Sequence, residues 1–335
     1  MSYFGRVVLA VAIVALAAAW QVKHVLLLLF GGLVFATILL VIASPLKRGV
    51  LAERHKLAVG AAVLALAAAL SGLMWLIGDS VAAQLDTLRA SLPRSLEALR
   101  SWLLGVPFGD DVLALWDESA SDGVPWGRVV NVAGLTLNAF TDLLFMLLIG
   151  VFLAAEPRLY TEGVVRLAPV SVRPRLASAL RNCSTALANW LKGQAISMLF
   201  VGLATGTGLA LLGVPMALTL GLVTGLLDFV PFFGPIAGGM LAVLVAFTEG
   251  PQTAMYVAIL MLVIQQIEGY VLMPLIQRWA VALPPMLGLV SVLLFVGWFG
   301  IAGLVFATPM MVMLLVLVRQ LYVEGYLEKD GEAGP

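Results

Sequence analysis

Residues 213–247, GVPMALTLGLVTGLLDFVPFFGPIAGGMLAVLVAF, are apolar enough for a bilayer, but Pro231, Gly234 and Pro235 interrupt them just after Asp228. Lipid offers no hydrogen bonds, so broken backbone at membrane depth must pack against protein or line a wet cavity. Two interpretations follow: a re-entrant hairpin or discontinuous helix beside a translocation path, or a kinked helix buried in a bundle. The carboxylate favours the first, because ionisable residues within membranes are usually functional.

Composition indicates a membrane protein. The 335 residues are 62% hydrophobic and 11% charged, with a mean hydropathy of +1.06, whereas soluble domains carry about 25% charged residues. We predict an all-α polytopic fold of about eight membrane segments, including two broken hairpins, with one amphipathic extracytoplasmic helical segment. The net charge of zero lacks the excess of positive charge that is typical of nucleic-acid-binding proteins. With one cysteine and two histidines, the sequence predicts no internal disulfide and no metal site, and we expect no cofactor.

The hydropathy pattern divides the chain into five parts. They are 1–77 with transmembrane helices 1–3 (7–20, 25–43 and 57–77), the extracytoplasmic segment 78–130, residues 131–212 with helices 4 and 5 (131–155 and 193–212), the transport core 213–323 with a further span at 253–276, and the tail 324–335.

The long polar segment, residues 78–128, carries eight acidic and four basic residues. Its leucines recur three or four positions apart, which predicts an amphipathic helix, and Pro93 is expected to divide that helix in two. Trp102, Trp116 and Trp126 suit a membrane interface or a neighbouring subunit. A capping loop on the bilayer and a binding role both remain open.

Charge asymmetry predicts the topology. Residues 47–56 are basic, and residues 156–192 contain six basic and two acidic residues. Positive charge in short loops marks the cytoplasmic side. We therefore expect both termini in the cytoplasm, the polar segment outside, and a multi-pass protein of the bacterial inner membrane.

Two apolar stretches share a plan. Residues 215–247 and 285–317 each begin at a Pro-Met pair and are interrupted by Gly and aromatic residues. In the second stretch the interruption lies at 297–300, and a further break is predicted at Thr308-Pro309. Paired, interrupted segments are the best sequence pointer to a secondary transporter's site. Hairpins entering from opposite faces would meet near the midplane, where Asp228 and Glu268 could both approach.

The predicted substrate and ion pathway gathers polar residues and helix breaks from this core. Its members are Asp228, Pro231, Gly234, Pro235, Gln265, Gln266, Glu268, Pro274, Thr308 and Pro309. Glu268 is the expected proton or cation carrier, the glutamines offer donors and acceptors, and carbonyls freed near the prolines are candidate cation ligands. Asn138 and Asp142 share a helix face, either as bundle hydrogen bonds or as polar lining.

The motifs Trp190-Leu-Lys-Gly-Gln194, GVPMALTLGLVTGLLDFVPFFGPIAGG, QQIEGYVLMPLI and GLVFATPM resemble the AI-2E family of autoinducer-2 exporters and related permeases. The resemblance implies homo-oligomeric assembly and export of small molecules such as quorum-sensing signals. Some relatives are described as sodium/proton antiporters. Tyr270 and Pro284 stand where many relatives carry Asn and His. If those side chains contact substrate or carry a proton in the relatives, the ligand or the coupling of this protein is expected to differ.

The leading hypothesis is a secondary transporter or exporter of a small polar molecule, coupled to H+ or Na+; the alternatives are a sodium/proton antiporter or a passive channel. The sequence contains no GxxxxGK[ST] motif, the phosphate-binding loop of a nucleotide-driven pump, so a pump of that kind is disfavoured. An intramembrane enzyme is disfavoured, because no HExxH exists and neither histidine falls in a core position.

The topology can be tested by cysteine labelling. In a Cys183→Ser background, cysteines introduced at Ser121 and Ser171 should react with an impermeant maleimide from opposite sides of the membrane. Labelling of both from one side contradicts the assignment.

Assembly can be tested in detergent. A segment with three tryptophans is better explained if neighbouring subunits cover it, so light scattering should report a homo-oligomer. A monomer that retains transport after reconstitution would contradict this.

Overall fold

The computed structural model describes residues 22–47, 54–105, 137–231, 233–279 and 283–327. Every regular element in these ranges is helical. The α-helices are α1 (Lys23–Lys47), α2 (His55–Leu103), α3 (Leu137–Ala155), α4 (Pro157–Leu167), α5 (Arg173–Leu211), α6 (Ala217–Leu227), α7 (Phe233–Ala246), α8 (Pro251–Ile267), α9 (Met273–Gln277), α10 (Pro285–Phe299) and α11 (Ile301–Leu317). A 3-10 turn spans Phe247–Glu249, and π-helical segments span Glu268–Leu272 and Val318–Leu327. The predicted span 7–20 lies outside the described residues, as do Trp116 and Trp126.

The helices have the lengths and surfaces of a multi-pass membrane protein. In the described ranges, five are long and apolar enough to cross a bilayer, or six if the bent pair α3–α4 forms one span. Large apolar side chains such as Trp75, Leu211 and Leu293 are almost fully exposed on them, as expected where lipid replaces water. The total of eight membrane segments stays a prediction.

The chain forms two compact units. The first draws on 1–67, 139–191 and 280–335, and the second on 68–138 and 192–279. Two long helices, α2 and α5, contribute residues to both.

In the first unit, α1 and α3 run parallel and in close contact. His24 bonds to Asp142 at 3.1 Å near the start of both helices. Further along, a Cβ on Gly32 would lie 2.4 Å from Ile149. Both contacting pairs are separated by nearly the same number of residues, which shows that the two helices run in the same direction. Small residues permit this approach. Of the predicted polar pair on α3, Asp142 is therefore hydrogen-bonded within the bundle, while the Asn138 side chain lies outside the described residues.

The start of α2 meets the end of α3 in the same unit. The His55 ring bonds to the Ala154 carbonyl at 2.9 Å, and Lys56 pairs with Glu156. At that point Pro157 begins α4, which is bent by 88° from α3, because proline cannot continue the preceding helix but suits a first turn. Parallel α1 and α3, with α2 antiparallel to α3, agree with the relative span directions predicted from charge.

A helical hairpin, α10 and α11, completes the first unit. Gly300 reverses the chain at φ +67, as predicted for this region. A Cβ on Gly303 would lie 2.0 Å from the Phe295 carbonyl oxygen, so glycine is needed where the two arms meet. The Phe30 and Phe306 rings contact edge to face at 5.9 Å, which joins the hairpin to α1.

The second unit is a series of antiparallel helices. Gly202 and Gly206 of α5 face Gly221 and Gly225 of α6, with a Cβ on Gly221 only 2.6 Å from the Gly206 Cα. The 39-residue α5 also runs antiparallel to α8 and to α9, which continues it, since Gly208 packs on Leu260 of α8 and Gly193 on Ile276 of α9.

Two predicted helix breaks are wrong, and two helices extend beyond the predicted spans. The 49-residue α2 continues through Gly78 and Pro93, so the outer segment does not begin as a separate element at 78 and Pro93 does not divide it. Its flanking leucine, alanine and arginine residues are strong helix formers. Helix α5 begins at Arg173 rather than after residue 192, and α11 runs unbroken through Thr308 and Pro309. A membrane helix tolerates the loss of the one hydrogen bond that proline removes, because a full break of the helix in lipid would leave more backbone groups without partners.

The glycine contact between α5 and α6 supports a stability prediction. Gly221→Ala should lower the free energy of unfolding by about 1–3 kcal/mol, because the methyl group would press on backbone that cannot move aside cheaply. Gly60→Ala is the matched control, since nothing lies within 4 Å of the Cβ position at Gly60. Thermal unfolding in detergent measures both variants, and equal stability of the two would contradict the assigned contact.

Candidate functional site

The break predicted from the sequence is a helical hairpin. Helix α6 has 11 residues and α7 has 14, which correspond to about 17 Å and about 21 Å, less than the roughly 30 Å of a bilayer core. The arms pack side by side: a Cβ on Gly238 would lie 2.7 Å from Thr224 Cγ2. The geometry therefore favours the hairpin over one kinked span.

Gly234 makes the reversal possible. A Cβ at this position would lie 1.8 Å from the Leu227 carbonyl oxygen and 2.8 Å from the Asp228 amide nitrogen. No side chain fits between the last turn of α6 and the first turn of α7. Asp228, the C-cap of α6, is thereby held in the turn of the hairpin.

Most backbone carbonyls at the break have partners. The Val230 oxygen accepts from the Gly234 amide at 2.8 Å, and the Pro231 oxygen from the Phe233 amide at 2.9 Å. Gln194 of α5 donates its side-chain N–H to the Asp228 carbonyl at 2.6 Å. Carbonyls near Pro231 thus hold the turn, and their role as cation ligands stays a prediction.

Glu268 lies at another irregularity. The helix that continues α8 widens to a π-helical segment, Glu268–Leu272, before α9 resumes the α-helical geometry. Such insertions are rare and frequent at functional sites. Glu268 is 7% exposed, so a carboxyl group is buried where the helix is locally widened.

Asp228 and Glu268 come together across Ser197 of α5. We define these three residues as the acidic centre. Ser197 donates to Glu268 Oε1 at 2.7 Å, and Gln265 donates to Oε2 at 3.0 Å. The Asp228 carboxyl group lies close to both Ser197 and Glu268.

Two buried oxygens at the acidic centre lack a hydrogen-bond partner among the described residues: Asp228 Oδ2 within it and Thr224 Oγ1 beside it. Both residues are buried, and they are one turn apart at the end of α6. A buried helical threonine commonly bonds to the carbonyl four residues earlier, as Thr37 does to Leu33 at 2.8 Å. Buried oxygens without partners are costly, so these two atoms are suited to receive a ligand.

The predicted pathway residues are only partly brought together. Asp228, Gln265 and Glu268 belong to the acidic centre or contact it, and Gly234 and Pro235 shape the adjacent buried turn. Gln266 and Pro274 are exposed on their helix. Thr308 and Pro309 are buried in the first unit.

Sequence reasoning missed Ser197, Gln194 and Thr224. Ser197 and Gln194 lie on α5 between apolar residues, and only the antiparallel register of α5 against α8 brings Ser197 to Glu268. Thr224 carries a weak signal: it precedes Asp228 by four residues, which puts both on one helix face.

The acidic centre suits small cations and hydrogen-bonding solutes. Carboxyl and hydroxyl oxygens bind hard cations and accept from hydroxyl or amine groups. The described ranges contain no group of three or more His, Cys, Asp or Glu residues that could hold a metal ion.

Comparison with known proteins places the chain in a family. A family model described as AI-2E family transporter matches residues 9–322. YueF of Bacillus subtilis (strain 168), named a transport protein, is 28% identical over 220 residues, 65% of this chain and 55% of YueF. MT0215 of Mycobacterium tuberculosis (strain CDC 1551 / Oshkosh), also named a transport protein, is 26% identical over 269 residues, 76% of this chain and 72% of its own.

PerM of Escherichia coli (strain K12), named a permease, is 25% identical over 200 residues, 59% of this chain and 56% of PerM. The chain thus spans about half the length of YueF and of PerM. Because the family model covers nearly the whole sequence, the predicted resemblance is confirmed: the chain belongs to the AI-2E family of transporters.

Proposed function

We propose that this protein is a secondary transporter of a small polar molecule, and that the acidic centre couples solute movement to a cation, H+ or Na+. The family supports membrane transport in place of enzymatic chemistry. Export of an autoinducer-2-like signal or related metabolite, a homo-oligomer and eight membrane segments with both termini in the cytoplasm belong to the same proposal.

One observation carries the proposal: two buried carboxyl groups meet across Ser197 at the turn of a hairpin too short to cross a bilayer. A charged residue such as Asp costs about 2.5–3.5 kcal/mol at a membrane helix centre on insertion scales. A purely structural role would be filled more cheaply by amides. Carboxyl groups that bind and release a cation account for their retention at this depth.

The second buried feature supports a binding role for the same place. Thr224 Oγ1 and Asp228 Oδ2 lie at the break without partners among the described residues. A solute hydroxyl or amine can donate to the carboxylate, and the threonine hydroxyl can donate to a solute oxygen. The solute subsite is accordingly assigned to the hairpin turn, next to Glu268.

A sodium/proton antiporter is the second candidate. It is favoured by the oxygens of the acidic centre together with the Thr224 hydroxyl beside it. Hard monovalent cations prefer such oxygens. An inward Na+ gradient should then drive proton efflux from proteoliposomes without added solute, whereas an equal K+ gradient should not.

A passive channel makes a different prediction. If the breaks line a continuously open pore, external solute should not accelerate the exit of labelled solute, and a pH gradient should not concentrate it. Counterflow in proteoliposomes over a panel of small polar metabolites separates this class from a transporter.

The role of Glu268 is tested by substitution. Glu268→Gln keeps the shape and can still accept from Ser197, but it cannot bind and release a proton. Gradient-driven transport should fall to the level of protein-free vesicles while solute exchange persists, and Asp228→Asn should chiefly weaken solute affinity. Radiolabelled uptake and counterflow in proteoliposomes measure these quantities.

Glu249→Gln is the matched control, because Glu249 is an exposed carboxylate in the same unit. It should transport like the unmodified protein. Full gradient-driven transport by Glu268→Gln across the working pH range would exclude Glu268 as the carrier.

A further inference from the structure

Helix α4 has an apolar face that is uncovered. Tyr160, Val164 and Leu167 recur at helical spacing and therefore lie on one side, which we call the apolar face of α4. Their exposed fractions run from 41% for Tyr160 to 87% for Leu167. Val165, which points elsewhere around the helix, is partly buried. The apolar face is thus directed away from the rest of the first unit.

The charged side of α4 is uncovered too. Arg158, Glu162 and Arg166 are exposed, and Glu162 pairs with Arg166 one turn away at 3.6 Å. Three charged residues among 11 do not suit a helix inside hydrocarbon. A helix that exposes an apolar side and an arginine-bearing side together is typical of the boundary between a bilayer and water.

The bend after α3 places α4 at such a boundary. The last turn of α3 meets the first turn of α2, where the His55 ring bonds to the Ala154 carbonyl at 2.9 Å. The apolar span of α2, His55–Gly72, begins at this level, so the bilayer surface lies here. Because α3 runs parallel to the span α1 and α4 is bent by 88° from α3, α4 runs roughly along that surface.

Both ends of α4 are fixed to its neighbours. Lys56 of α2 pairs with Glu156, the residue before the first turn. At the other end, Arg173 of α5 donates to the Ala168 carbonyl at 3.0 Å and to the Arg166 carbonyl at 3.1 Å. The last carbonyls of a helix lack partners within it, and a cation there is favourable. The direction of the apolar face is therefore set by the fold.

Charge indicates which kind of membrane surface fits. Residues 156–192 contain six basic and two acidic residues. The two acidic ones, Glu156 and Glu162, are both paired with basic side chains. An excess of positive charge beside a span attracts anionic phospholipids electrostatically.

We propose that α4 docks on the phospholipid bilayer, with its apolar face at the boundary of the acyl chains and with Arg158 and Arg166 bound to anionic headgroups. The docked helix fixes the height of the α3–α5 connection relative to the membrane. This inference goes beyond the proposed function, because it concerns lipid and needs no transported solute, so the two can fail independently.

Spin labels on the reconstituted full chain test the docking. Single cysteines are introduced as Tyr160→Cys, Val164→Cys or Leu167→Cys on the apolar face and as Glu162→Cys on the charged side, in a Cys183→Ser background. Vesicles contain phosphatidylcholine and phosphatidylglycerol. The ratio of collisions with oxygen, which dissolves in lipid, to collisions with a neutral, water-soluble nickel chelate should be severalfold higher at the apolar face than at Glu162→Cys.

Leu64→Cys is the reference for lipid contact, because Leu64 is 72% exposed on the apolar span of α2. A ratio at the apolar face as low as that at Glu162→Cys would overturn the docking, since the face would then be in water. Low collision rates with both reagents at all three positions would also overturn it, because the face would then be covered by protein, such as a second copy of the chain.

A change of lipid charge tests the headgroup binding. Omission of phosphatidylglycerol should lower the ratio at Leu167→Cys, as should high salt or Arg158→Gln combined with Arg166→Gln. Arg94→Gln is the matched control and should have no effect, since Arg94 is an exposed arginine of α2 in the second unit. Thermal unfolding checks that each variant is folded. A ratio independent of lipid charge and of both arginines would overturn the binding of anionic headgroups.

Discussion

The contact between Gly234 and the Leu227 carbonyl is the constraint on which the site depends. With only a hydrogen atom at this position, the first turn of α7 can lie against the last turn of α6. The reversal then brings Asp228 inward, where the Gln194 side chain secures its carbonyl. A hairpin of two short helices can place a carboxyl group below the surface of a membrane protein while most of its backbone bonds are kept.

Glycine contacts extend the same principle to the neighbouring helices. Gly202, Gly206, Gly221 and Gly225 let α5 and α6 approach until backbone meets backbone. This close packing sets the register between α5 and the hairpin, so Ser197 is level with Asp228. The register of α5 against α8 in turn brings Ser197 to Glu268. The polar geometry is thus a consequence of apolar packing, which in lipid must come from close fit rather than from exclusion of water.

The sequence predicted the parts of this arrangement that are coded locally. Pro231, Gly234 and Pro235 predict the break, and the role of Asp228 beside it stays a prediction. Local signals failed at Pro93, where strong helix formers flank the proline, and at Pro309, where breaking the helix in lipid would leave backbone groups without partners. The π-helical segment had no local signal, although Gly269 follows Glu268. Ser197 could not be found, because its partner is 71 residues away in sequence and only the packed register brings the two together.

The two irregular elements of the second unit have complementary properties. The hairpin turn is held by backbone and amide bonds, but two of its side-chain oxygens lack partners among the described residues. The π-helical segment has the reverse arrangement, because both oxygens of Glu268 accept hydrogen bonds. In the proposed transporter, a solute would satisfy the turn, and a proton on Glu268 would change its bonds to Ser197 and Gln265. Coupling between the solute and the cation requires that each of these events alter the free energy of the other.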